Sequence, residues 1–331
     1  MEKSPTLPMD APDKIIVVTR KTPLEELIER FNSRAQAKFY IEHSGAQFQD
    51  YEEEHDAYHR SLDVLKRSLP RHPPSQWIER SFLPTFQFGT RDLIVTIGQD
   101  GLVVNVAKYL TTQPILAFNP DPSRIDGVLI PFPVPVAKRL LPRVLEGRVK
   151  LKRISMAEAE LNDGQTLIGV NDLFIGPRSH ISAKYVLQVG QHREPQSSSG
   201  IIISTGTGST GWLQSIITGS AAVTKTVVKA SFKMPTPERY RLDGESDELY
   251  FAVREPFTSR TSKATLVFGR IGPGDYLYVT SQMPGYGVIF SDGIEHDFVA
   301  FNSGAIAKIG VASRKAHLIT DIASPVSVSG V

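Results

Sequence analysis

The chain changes its pattern once, near Gly147, and that change limits the possible folds more than any other feature. Before it, short apolar runs alternate with stretches of helical period. Lys14 to Thr19 (KIIVVT) reads as a buried strand, and Thr22-Pro23 opens a helix through about Asn32. Residues 51–69 form a second helix on the apolar positions Tyr58, Leu62, Val64, Leu65 and Leu69, closed by Pro70. Leu93 to Ile97 (LIVTI) is another buried strand, followed by GQDGL and a helix ending near Leu110; Pro114 to Phe118 (PILAF) is the next strand. Such alternation predicts a parallel sheet with crossover helices. After Gly147, short β-rich segments are broken by turn signals at Asn162-Asp163-Gly164, Pro273-Gly274-Asp275, Pro284-Gly285 and Asp292-Gly293. That pattern predicts an antiparallel domain.

A chain of 331 residues accommodates two such domains. Its 40% hydrophobic and 22% charged residues exclude a disordered chain. The formal net charge of +2 is too small for a broad phosphate-tracking surface, so no nucleic-acid partner is expected and any phosphate should be met locally. With 0 cysteines, disulfide scaffolds, thiolate zinc sites, iron–sulfur clusters and cysteine nucleophiles are excluded. The N-terminal MEKSPTLPMDAPDK has no apolar signal core, and no run approaches the roughly 18 apolar residues of a membrane span. A cytoplasmic protein without a membrane partner is expected, its residues 1–13 a disordered tail.

Four segments carry chemistry-bearing residues. In GQDGL, Gly98 to Leu102, a carboxylate stands between two glycines where a strand meets a helix, suited to letting backbone N–H groups approach an anion. Asp100 there either takes a proton from an acceptor, holds a metal, or caps the helix. In Ile201 to Gly211 (IIISTGTGSTG), Gly206, Gly208 and Gly211 satisfy GxGxxG. The dinucleotide fold also wants an acidic residue about 20 positions on. None lies between Gly200 and Glu238, so the hydroxyls Ser204, Thr205, Thr207, Ser209 and Thr210 better suit a loop that hydrogen-bonds a polar nucleotide, or a turn capping a helix from Trp212. Asn171-Asp172 in GVNDLFIG is a polar pair inside an apolar run, and must be partnered or functional. Finally, HDAYH places His55 and His59 at i and i+4, a metal-ligand spacing, although a solvated helix face flanked by Glu52, Glu53 and Glu54 accounts for the same residues.

Taken in order, GQDGL, NPDPSRIDG (Asn119 to Gly127), Asn171-Asp172 and SSGIIISTGTGSTGW resemble the motifs of the ATP-dependent NAD kinase family: GGDGT, an asparagine–glutamate pair and STPTGSTAY. Asn119-Pro120-Asp121-Pro122, Ser198-Ser199-Gly200, Arg254-Glu255-Pro256, Ser291-Asp292-Gly293 and Asn302-Ser303-Gly304-Ala305 are similar to its mitochondrial-type branch. The resemblance implies an N-terminal α/β parallel-sheet domain, residues 14–140, then a β-sandwich-like domain, residues 141–305, with a tail from about 306 to 331 returning to the first. It implies transfer of the γ-phosphoryl of ATP, with Mg2+, to the 2′-hydroxyl of the adenosine ribose of NAD, and a homodimer or homotetramer. Asp100 matches the catalytic aspartate. Gly98 and Gly101 match the triphosphate loop, Asn119 lies in the second segment, and Asn171 and Asp172 match the acceptor pair. Thr205, Thr207, Gly208, Ser209, Thr210 and Trp212 match the loop around adenine and ribose. Gln99 and Leu102 replace the family's second glycine and its threonine, Asp172 replaces a glutamate, and Trp212 a tyrosine. The first two substitutions sustain an alternative: a non-catalytic NAD(P)-binding regulatory protein with a degenerate phosphate loop.

Overall fold

Five consecutive buried side chains leave no strand face for water, and the apolar runs of the first 150 residues accordingly become strands covered on both faces. The computed structural model describes residues 11–228 and 235–322, so the expected tail lies outside the described residues up to residue 10. The described chain divides into two units, residues 11–152 with 316–322, and residues 153–315.

The first unit runs β1 (Ile15–Thr19), α1 (Pro23–Phe31), α2 (Arg34–His43), α3 (Phe48–Ser68), β2 (Ser75–Glu79), β3 (Leu93–Ile97), α4 (Asp100–Ala107), β4 (Pro114–Asn119), β5 (Phe132–Pro133) and α5 (Ala137–Leu145). Its strands are ordered β2-β1-β3-β4 and all pair in parallel; His317 and Leu318 add a further parallel strand against β4. Every residue of β3 is buried. The helix α1 starts where local chemistry tells it to: Thr22 caps it, Pro23 takes the first position, and Glu25 closes a capping box by accepting from the Thr22 N–H. One core joins Ile15, Val17, Leu93, Val95, Leu116 and Phe118 to Tyr58 and Leu65 of α3 and Leu140, Leu141 and Val144 of α5. Because α5 packs there, the first unit extends to residue 152, beyond the boundary at 140 read from sequence.

The second unit follows from β6 (Val149–Leu161), which begins in the first. It contains β7 (Thr166–Gly169), β8 (Asp172–Pro177), β9 (Ala183–Val189), β10 (His192–Ser198), β11 (Ile201–Ser204), α6 (Trp212–Val228), α7 (Pro237–Tyr240), β12 (Leu249–Val253), β13 (Phe268–Ile271), β14 (Leu277–Ser281), β15 (Gly287–Ser291), β16 (Phe298–Ala300) and the start of β17 (Ile306–Ile322). Two antiparallel sheets form, one ordered β10-β9-β14-β17 and the other β13-β12-β11-β8-β15-β16. Alternating residues of both meet in one core, Leu173, Ile175, Ile201, Ile203 and Phe251 from one sheet against Tyr185, Leu187, Leu277, Val279 and Ile309 from the other. The opposite face of the second sheet is covered as well: Phe174, Ile202, Val288 and Phe290 pack with Trp212 and Ile216 of α6. Not all strands are short, as sequence predicted. β6 has 13 residues and β17 has 17.

Candidate functional site

In the first unit the GQDGL segment leaves β3 and enters α4. Gly98 donates its N–H to the Phe118 carbonyl at 3.2 Å, closing the strand end. Gln99, not Asp100, is the helix N-cap, and it makes no side-chain cap bond. Its backbone, at φ −93° and ψ 168°, is one that any residue adopts, so no glycine is required there. Asp100 is turned instead toward the loop after β4: its Oδ2 accepts from the Val128 N–H and its Oδ1 from the Leu129 N–H, both at 2.9 Å. The helix-cap reading of Asp100 is thereby replaced by a carboxylate gripped by another loop.

Asn119 shapes that loop. Its amide donates to the Ile125 carbonyl at 2.8 Å and its oxygen accepts from the Asp121 N–H at 2.9 Å, and the residue is buried. Leu102 is buried too, its side chain lying over Gly98, while the space above Gly101 is open. Two residues that sequence reasoning did not select support the segment. The Tyr58 hydroxyl donates to the Ile97 carbonyl at 3.2 Å and accepts from the Arg20 N–H at 3.0 Å. Burial pushes that hydroxyl up to about 12, so it stays neutral. Arg20 runs past Gly98; its guanidinium bonds Glu54 at 2.8 Å and the Lys21 carbonyl, and its Nε is buried with no partner among the described residues. The signal for it in the sequence was only a basic residue following a buried strand.

In the second unit, Asn171 and Asp172 stand where the chain enters β8. The Asp292 carboxylate organises this turn, with Oδ1 accepting from the N–H groups of Asn171 at 2.7 Å and Asp172 at 3.3 Å, and Oδ2 from Val170 at 3.2 Å. Asp292 holds φ at 56°, the left-handed region that aspartate tolerates better than most side chains. The Asn171 side chain hydrogen-bonds none of the described residues, while Asp172 is buried. The hydroxyl loop is locked onto this pair. Thr205 donates its hydroxyl to the Val170 carbonyl at 2.6 Å and its N–H to the Asn171 carbonyl at 2.9 Å, and Ser209 donates to the Gly206 carbonyl at 2.6 Å. Thr205 and Ser209 thus spend their hydroxyls on holding the loop itself. The Thr207 hydroxyl is buried with no hydrogen-bond partner among the described residues, and Thr210 is exposed.

The first two glycines of GxGxxG have a structural cause. A Cβ at Gly208 would lie 2.0 Å from the Asn171 carbonyl oxygen, and one at Gly206 would lie 1.9 Å from that of Asp243. Moreover β11, which leads into the loop, pairs antiparallel with β8 and β12, so no βαβ dinucleotide unit exists here.

Trp212 opens α6 and stacks on Phe174, ring centroids 5.8 Å apart and 8° from parallel; the Arg254 guanidinium lies 5.3 Å from the Trp212 centroid. These residues, with Ser199, Arg178 and Glu255, line a cavity of about 820 Å³. Two runs quoted for the resemblance, around Ser199 and Arg254, therefore reach the same cavity as the end of the hydroxyl loop. An aromatic stack beside guanidinium groups suits an aromatic, negatively charged ligand.

No family model matches the sequence, nor does any curated protein. The fold does match solved structures. A parallel α/β unit followed by an antiparallel sandwich defines the class: the chain has the two-domain fold of NAD kinases. Yeast NADH kinase, solved with NADH, superposes with a TM-score of 0.53 at 14% identity, over 94% of this chain and 84% of that one. An NAD kinase from Archaeoglobus fulgidus, solved with ATP, gives 0.52 at 14% identity over 92% and 93%. Among the described residues, no helix is long and apolar enough to cross a membrane.

Proposed function

We propose that this chain is an ATP-dependent NAD kinase, of the mitochondrial-type pattern, which transfers the γ-phosphoryl of ATP to the 2′-hydroxyl of the adenosine ribose of NAD to give NADP. The observation that carries the reading is the Asp100 carboxylate, oriented by two backbone N–H donors at the mouth of a strand–loop–helix turn. Each oxygen keeps lone-pair capacity, so Asp100 can accept the ribose proton as the oxygen–phosphorus bond forms and the bond to the β-phosphate bridging oxygen breaks. Little further covalent chemistry is required of the protein, since positioning and charge stabilisation do most of the work in phosphoryl transfer. Gly101 leaves room for phosphate, Gly98 offers backbone beneath Leu102, and Arg20 contributes a nearby cation. Asn171, Asp172, Thr207 and Trp212 hold the acceptor nucleotide, with Thr205, Gly208, Ser209 and Asp292 fixing them in place.

Magnesium takes oxygen ligands and keeps several waters. Among the described residues Glu25, His55 and His59 are the one group of three or more ligating side chains that converges, and magnesium, which is held by one or two carboxylates together with substrate phosphates, would be carried in on the triphosphate. The geometry also favours activity over a degenerate loop. Gln99 sits in an ordinary extended conformation and Leu102 is a packed core residue, so neither substitution distorts the turn. The test is incubation of the purified chain with γ-labelled ATP, Mg2+ and either NAD or NADH. Label in the pyridine nucleotide supports the reading; tight NAD binding without label transfer would instead establish the regulatory alternative. Light scattering on the same sample reads whether the chain is the expected homodimer or homotetramer.

A further inference from the structure

The fold brings a third ligating side chain, Glu25, beside the two histidines of HDAYH. His55 and His59, one turn apart on α3, face the N-terminus of α1, where Glu25 stands at the third helical position. One nitrogen from each ring and one Glu25 oxygen all lie within 4.8 Å of one another. A tetrahedral ion with bonds of about 2.0–2.1 Å holds its ligand atoms about 3.3 Å apart, so small side-chain rotations close the set. We propose that Glu25, His55 and His59 form a binding site for a divalent transition metal, Zn2+ by preference, separate from the nucleotide-borne magnesium.

Three features beyond spacing support it. The His55 Nδ1 lies 2.9 Å from the Thr22 hydroxyl, a fully buried group, which fixes the ring and leaves Nε2 for the ion. This is the arrangement by which outer-shell partners orient metal-bound histidines. Glu25 is held equally firmly: Oε2 accepts from the Thr22 N–H at 2.7 Å, so that Oε1 points at the His59 Nε2, 3.0 Å away. The same capping box that starts α1 thus aims two of the three ligands. The two rings stand 4.3 Å apart, with His59 and Glu25 partly open to solvent, which leaves a fourth position for water and a path for exchange. Two imidazoles and one carboxylate suit Zn2+, Ni2+ and Cu2+ rather than Mg2+.

A bound ion would pin the start of α1 to the middle of α3. Tyr58, within the same helical turn, supports the Ile97 carbonyl next to the GQDGL segment, so the pin lies one residue from a prop of the proposed phosphate loop.

The experiment uses the full, untagged chain stripped with chelator. Co2+ titration followed by visible absorption should give the intense bands of four- or five-coordinate cobalt at one equivalent, bleached by Zn2+ and unaffected by millimolar Mg2+. His55→Ala, His59→Ala and Glu25→Gln should each weaken Zn2+ binding at least tenfold in calorimetry, with circular dichroism reporting that each variant is folded. Absence of Zn2+ binding by the wild type, displacement of cobalt by Mg2+, or wild-type affinity in the His55→Ala/His59→Ala double variant would overturn the proposal. NADP formation is measured separately, so failure of this site leaves the kinase reading standing.

Discussion

Asp292→Asn tests the organisation of the acceptor pair most sharply, because it changes one carboxylate oxygen into an amide and little else. Asparagine keeps the size of the side chain and its tolerance for the positive φ of 56°. The wild-type carboxylate accepts three backbone N–H bonds, two at Oδ1 and one at Oδ2. In the variant the better-bonded side keeps its oxygen and the NH2 faces the Val170 N–H, losing one charge-assisted bond and opposing two donors. Hydrogen bonds to charged groups contribute about 1.5–3 kcal/mol each, so the expected destabilisation is about 2 kcal/mol. Urea denaturation reads this as a lowered midpoint at unchanged slope. NAD affinity, measured by calorimetry on the folded variant, should fall with it, since the turn that presents Asn171 and Asp172 loosens. A variant within about 0.5 kcal/mol of wild type that binds NAD equally well would refute the argument that Asp292 holds the pair.

Gly208→Ala brings a Cβ to within 2.0 Å of the Asn171 carbonyl oxygen, and the backbone must move by more than 1 Å to accept it. Thermal unfolding should register a loss of about 2–4 kcal/mol, and a stability equal to wild type would contradict the close approach. Thr207→Val should leave the unliganded protein as stable or slightly more so, because its buried hydroxyl has no partner among the described residues to lose, yet weaken NAD binding several-fold; a destabilised variant with unchanged affinity would reverse the assignment. Glu194 is buried, and burial alone would raise its pKa. The Thr265 hydroxyl and the N–H groups of Leu266, Gln196 and Thr265 outweigh this and hold it below its ordinary 4.5. Its contribution is therefore complete above about pH 4.5 and lost as pH falls through the lower folded value. Glu194→Gln should flatten the acid limb of a stability–pH curve, and an unchanged limb would count against it.

Much of the fold was legible because its signals are local. LIVTI and PILAF announce buried parallel strands, the Thr22-Pro23 start announces α1, and Asn162-Asp163-Gly164 announces a hairpin turn that the structure contains. What escaped lacks such marks. β2, with sequence SQWIE, buries only Ile78 and is held by pairing to β1 rather than by its own composition. α2 buries only Ala37 and Ile41. The candidate site divides in the same way. Asp100 and the glycines stand out in sequence, whereas the reason for two of those glycines is a carbonyl brought close by another segment: Asn171 for Gly208, Asp243 for Gly206. Gripping of Asp100 by Val128 and Leu129 involves backbone atoms, which any residues supply. Glu25 was invisible as a metal-site candidate because it joins His55 and His59 only when α1 packs on α3.

The central claim is that Asp100 accepts a proton from the acceptor hydroxyl. A coupled assay for NADP with NAD, ATP and Mg2+, comparing wild type with Asp100→Asn and with NAD binding measured on both, tests it most directly. The account predicts NADP formation by the wild type, and in the variant a loss of about 10²-fold or more in kcat with NAD affinity retained. Wild-type protein that binds NAD but forms no NADP, or a variant with undiminished kcat, would contradict it.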